Sequence, residues 1–118
     1  MTVESDIFDT LKGLVTNRVY PDAAPYGATR PFIVYTQIGG ETVNYVEGGV
    51  PDRKNGVFQI NAHAATRAEA SALMLLVEAA MLSTNRFSVE VQRAPMAEHD
   101  PDVPDYWAHQ DFSIWSAR

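Results

Sequence analysis

Val57-Phe58-Gln59-Ile60-Asn61-Ala62-His63-Ala64 is followed, one alanine later, by Thr66-Arg67-Ala68-Glu69. The first stretch alternates. Phe58, Ile60, Ala62 and Ala64 face one way and Val57, Gln59, Asn61 and His63 the other, which is the period of a half-buried strand. The second stretch has the form of a capping box. The Thr66 hydroxyl is placed to accept the amide of residue 69, and the Glu69 carboxylate to return to the amide of residue 66. A helix therefore starts here and runs to about Ser83, with Ala70, Leu73, Leu76, Val77, Ala80 and Met81 expected inside.

Outward from this pair the pattern repeats. Downstream, Phe87, Val89 and Val91 alternate with Ser88, Glu90 and Gln92, giving a strand. Ala94 to Pro104 is acidic and rich in proline and reads as a loop, and a final strand covers about Tyr106 to Ser116. Upstream, Phe32 to Ile38 has the β-branched and aromatic composition of a strand. Gly39-Gly40 then favours a hairpin with Glu41 to Val46 over one long bulged strand. Gly48 to Gly56 is expected to be an exposed loop, and so is Asp22 to Pro31. Val3, Ile7, Phe8, Leu11, Leu14 and Val15 form the stripe of an amphipathic helix, with Thr2 or Ser5 as its cap, ended before Val19-Tyr20-Pro21. Two helices and four or five half-polar strands pack most economically as α+β. Both helices then cover one face of a mainly antiparallel sheet.

The chain has 118 residues and 13.0 kDa, a length suited to a single domain over 1–118. It contains no cysteine, which excludes disulfides, thiolate metal sites and a cysteine nucleophile. Its formal charge of −6 and pI near 4.8 disfavour a nucleic-acid-gripping or membrane-coating role. No apolar stretch is long enough to span a bilayer.

The uncovered sheet face is expected to gather Gln59, Asn61, His63, Glu90, Gln92, His109, Asp111, Ser113 and Trp115. His63, His109 and Asp111 are the residue types of a divalent-metal site, or of a small metal-dependent enzyme. Yet any strand with a wet face produces this spacing, and a solvated or interface-packed face accounts for it. The carboxylates from Glu98 to Asp105 lack the glycine turn and terminal glutamate of a calcium loop. The glycine pairs match no phosphate-cradling motif, and Ser113 lies in no nucleophile turn. The reading is therefore of no cofactor, no metal and no catalytic residues. Contact with other proteins is expected instead, through Tyr106, Trp107 and Trp115, the basic pair Arg53 and Lys54, and the amides Gln59 and Asn61. A host dimeric binding module of the same fold is the remaining alternative.

Several segments together resemble one family of tailed-phage and prophage proteins, the tail-completion or tail-terminator proteins. They are Arg18-Val19-Tyr20-Pro21, Ala24-Pro25 with Gly27, Arg30-Pro31-Phe32-Ile33-Val34-Tyr35, and Gln59 to Ala64. Thr66 with Glu69-Ala70 and Asp111-Phe112-Ser113-Ile114-Trp115 complete the match, which covers nearly the whole chain. His63 stands where relatives more often carry an aromatic residue. The resemblance implies a structural, non-enzymatic protein of the virion tail, present in the bacterial cytoplasm during assembly. It also implies a homo-oligomeric, typically hexameric ring that caps the tail tube and meets head-completion proteins. DNA would pass through without being specifically bound, and acidic walls that repel phosphate suit that passage. No membrane is involved, and no catalytic residues carry over.

Overall fold

The computed structural model describes residues 2–42, 52–102 and 105–117. In chain order these form α1 (Val3–Leu11), β1 (Val19–Pro21), β2 (Phe32–Gly39), β3 (Arg53–Ala64), α2 (Arg67–Ser83), β4 (Ser88–Val91), β5 (Met96–Asp100) and β6 (Asp105–Ala117). A single 3-10 turn at Lys12–Leu14 extends α1. The fold is α+β, with both helices against one face of an open, mixed, six-stranded sheet in the order β1-β2-β3-β6-β4. Strand β5 lies beside β4 on the same outer edge of β6. Every pairing is antiparallel except that of β1 with β2.

The two long strands form the spine. β3 and β6 pair without a break from Arg53 opposite Ala117 to Ala64 opposite Tyr106. Ile60, Ala62, Phe112 and Ile114 point to the helices and are essentially fully buried, meeting Ile7 and Leu11 of α1 and Met74, Val77 and Met81 of α2. Both helix starts carry a threonine N-cap, though the expected return bond from the Glu69 carboxylate to the Thr66 amide is not formed. Thr2 Oγ1 accepts the Ser5 amide at 3.1 Å, and Thr66 Oγ1 accepts the Glu69 amide at 3.2 Å. Between α1 and the sheet, Tyr35 donates its hydroxyl to Glu4 at 3.2 Å. Burial and the neighbouring carboxylate push that phenol up to about 12, so it remains a donor at neutral pH.

The structure corrects four expectations. Arg53 to Gly56 is the first part of β3, where a loop was expected, because β6 supplies it a full ladder and the Asn55 side chain is fully used. Asn55 Nδ2 donates to Ser113 Oγ at 2.8 Å and to the Ile114 carbonyl at 3.3 Å, while its Oδ1 accepts the Glu41 amide at 2.8 Å. Gly56 is needed here: a Cβ would sit 2.8 Å from the Phe58 ring that packs over it. Met96 to Asp100, within the expected acidic loop, is strand β5, because Pro95 and Pro101 flank the paired segment instead of interrupting it. Val19 to Pro21, read only as a helix stop, is a short parallel edge strand, which with β5 raises the count from four or five strands to six. The expected strand over Glu41 to Val46 and the start of the Gly48 loop fall largely outside the described residues.

The fourth correction concerns α2. Met74 is fully buried, whereas Leu76, expected inside, is 54% exposed, and Ala80 is only partly covered. The helix is apolar on nearly every side, so periodicity alone left the choice of inner face open. Met74→Ala is expected to lower stability by about 2–5 kcal/mol and Leu76→Ala by less than about 1 kcal/mol, as read from chemical denaturation.

Along the outer edge of β6, Gln92 to Pro95 bulge away between β4 and β5, opposite Gln110 and Asp111. Gln110 points inward and is fully buried. Its amide nitrogen donates to Glu78 of α2 and, at 2.9 Å, to the Arg93 carbonyl within the bulge.

Candidate functional site

The sheet face away from the helices is the chemically diverse surface. Strand alternation places Phe32, Val34 and Thr36 of β2 on it with Val57, Gln59, Asn61 and His63 of β3 and Trp107, His109, Asp111, Ser113 and Trp115 of β6. One register row is aromatic across β2, β3 and β6. Phe32 lies opposite His63, which lies opposite Trp107. The His63 ring stacks on Phe32 with centroids 4.6 Å apart and planes 12° from parallel, and on Trp107 at 5.6 Å and 25°. Tyr20 of β1 meets Phe32 edge-on at 6.2 Å, extending the row to the edge strand.

A charged clasp closes that end of the sheet. Both carboxylate oxygens of Asp105 approach His63 Nδ1, at 3.2 and 3.3 Å, and Arg30 Nε donates to the same carboxylate at 3.2 Å. Burial pulls the His63 pKa below its ordinary value, an effect that the Asp105 carboxylate opposes. The ring is therefore neutral at pH 7, donating from Nδ1 to Asp105.

Beside this row lies an open cleft of about 410 Å³, floored by Val34, Thr36, Gln59 and Asn61, with the ring stack at one end and Asp22 to Ala24 as its rim. The rim follows from topology. A connection between neighbouring parallel strands must cross one face of the sheet, and the helices occupy the other. Asn61 Nδ2 donates to Gln59 Oε1 at 3.3 Å, so the amides form a fixed polar strip.

The expected metal ligands are brought to one face, but each is committed elsewhere. His63 faces Asp105, His109 Nε2 meets Glu98 at 2.9 Å, and Asp111 is paired with Arg93 at 3.1 Å. Among the described residues no group of three or more His, Cys, Asp or Glu is placed to hold a metal ion. Of the expected contact residues, Gln59, Asn61, Trp107 and Trp115 share this face. Arg53 lies at its far end, with its guanidinium donating to the Trp115 carbonyl at 3.1 Å. Lys54 falls on the helix side by alternation, and Tyr106 lies on that side too, stacked on His99 at 5.6 Å. Sequence reasoning missed the Arg30–Asp105 clasp and the role of His63 as a ring. The aromatic preference at that position was the one signal available.

The family model for tail completion protein gp17 matches residues 8–116. The chain belongs to this family. No curated protein matches it. One solved structure similar to it covers 98% of this chain and 90% of its own length, at TM-score 0.54 and 15% identity, a likeness of fold alone. Among the described residues no helix is long and apolar enough to cross a membrane. In this tail completion protein His63 occupies its position as an aromatic residue would, between two rings.

The stack yields a pH dependence of known sign. Because the native state disfavours protonated His63, the unfolded chain binds more protons below about pH 6.5. Its stabilising effect is complete above that value and is lost as pH falls through the depressed native pKa. Melting temperature should therefore drop between pH 7.5 and 5.5, and His63→Phe should keep the stack and reduce that drop.

Proposed function

We propose that this protein is the subunit of a homo-oligomeric ring that caps the phage tail tube and joins it to the filled head. Function then resides in protein contact, without cofactor or turnover. The observation that carries this reading is the uncovered sheet face in a member of the tail completion family. A row of stacked rings and a strip of fixed amides make a firm surface whose aromatic and amide composition suits burial against another protein. His63, His109 and Asp111 on that face are each held by a neighbouring charged group, an arrangement that stiffens a surface. The surface that meets the tail and head neighbours comprises Trp107, Trp115, Gln59 and Asn61, with Arg53 at its far end. Lys54 and Tyr106 contribute from the helix side. The subunit acts in the virion tail and in the host cytoplasm during assembly, and DNA passes the acidic ring without being gripped.

Electron microscopy of particles made with and without the gene tests this. Overlong tubes and unjoined heads are expected in its absence, and tubes of normal length joined to heads would overturn the reading. Asn61→Arg, at a half-buried site on the outer face, is expected to leave the melting temperature within a few degrees and reduce joined particles at least tenfold.

A further inference from the structure

Two exposed features stand outside the sheet face, and neither has a partner among the described residues. The first is Tyr26, which is 107% exposed, more than in an extended chain. It sits at the corner of a β-turn in which the Ala28 amide donates to the Pro25 carbonyl at 3.0 Å, with Gly27 at φ 75° in the third position. The ends of this loop are tied. Asp22 donates its amide to the Tyr35 carbonyl at 2.9 Å, and Arg30 is bound to Asp105. The tyrosine is thus held out on a stiff support, so little backbone freedom is left to lose on contact, and its side chain has only two rotatable angles to order.

The second is a groove of about 370 Å³ on the helix side, lined by Pro31, Ala64, Ala72, Leu73 and Leu76, with Glu69 as its one charged wall. It opens onto the outward stripe of α2, where Leu75 and Leu76 are 60% and 54% exposed. Charge is sparse on both features, with Glu69 the one carboxylate in the groove wall. Ala23 to Thr29 contains no ionisable group except the tyrosine itself, and the stripe of Ala68, Ala72, Leu75, Leu76, Ala79 and Leu82 contains none. On a chain of net charge −6, these are surfaces on which two copies touch without like charges meeting.

We propose that Tyr26 of one copy inserts into the α2 groove of the next, its ring against Leu76 and Ala72 and its hydroxyl donating to Glu69. The occupant is a second copy of this chain, and the contact is head-to-tail, as the ring reading requires; a reciprocal pair that exchanged tyrosines would overturn it. Area argues the same way. A buried tyrosine hides roughly 150–250 Å², and α2 is only about 25 Å long. A stable pair needs about 800 Å² on each side. A single contact is too small to hold two copies together. A closed ring, where every copy gives its tyrosine to one neighbour and its groove to the other, doubles the contact per subunit and adds the gain of closure. The inference rests on the ring reading above and names the surface that makes the ring.

The chain has no cysteine, so introduced thiols report contacts without background. Ala28→Cys keeps Tyr26 and places a thiol on its turn, and Ala68→Cys places one beside the groove. Mixed and treated with a short bis-maleimide, the two variants should join as one copy of each and nothing larger. Their yield should be at least tenfold above that of Ala28→Cys mixed with Glu90→Cys on the sheet's outer face. Adding Tyr26→Ala to the Ala28→Cys chain should cut the yield at least tenfold, and Tyr26→Phe should restore most of it. Equal joining to the Glu90→Cys control, or a yield unchanged by Tyr26→Ala, overturns the proposal. With both thiols in one chain, a ladder ending in a closed species of more than two copies supports contact and ring together, and joining that stops at a doubly linked pair overturns the head-to-tail contact. An endless ladder supports the contact and overturns the ring. Rings seen by microscopy whose subunits fail to join at these positions overturn the contact and leave the ring standing.

Discussion

The unbroken pairing of β3 with β6 is the constraint from which the remainder follows. It aligns Ile60 and Ala62 with Ala108, Gln110 and Phe112 on the side that the helices cover, and Asn61 and His63 with Trp107 and His109 on the side they leave bare. A one-residue slip would exchange the two sets, presenting histidines to the core and phenylalanine to water. That penalty is why register is so firmly held here, and why the outer face can carry so many polar groups without ambiguity about where they go.

The aromatic row shows how one position serves both packing and surface. His63 is stacked as a hydrocarbon ring would be, yet its Nδ1 reaches Asp105, which also receives Arg30. The loop carrying Tyr26 is thereby bound to the first residue of β6. A charged clasp of this kind contributes modestly in a half-exposed setting. Its clearer effect is geometric, because it keeps the rim of the cleft and the turn beyond it in one arrangement.

Much of this was legible beforehand. Alternation in Val57 to Ala64 and the cap at Thr66 announce the strand–helix unit, and Gln59, Asn61, His63 and His109 lie on the face that alternation indicates. Local signals failed where a neighbour decides the outcome. Arg53 to Gly56 has the glycine and charge of a loop, but β6 offers it a ladder, and Asn55 bonds across to Ser113 and Ile114. Met96 to Asp100 has little strand propensity, yet β6 pairs with it too. In α2, leucines on both sides erase the periodicity that separates inside from outside. Gln110 is polar in an inward row, and no local pattern announces that Glu78 and the Arg93 carbonyl await it.

The bulge at Gln92 to Pro95 bears on how far such a sheet can grow. A border that recruits further strands needs a long, regular run of amides and carbonyls, and this one is split in two, carries a proline, and bears Glu98 and Asp100 beyond it. The opposite border is the brief β1, ending in Pro21. Among the described residues neither margin offers a template for strand-by-strand extension, so whatever meets this sheet does so through side chains.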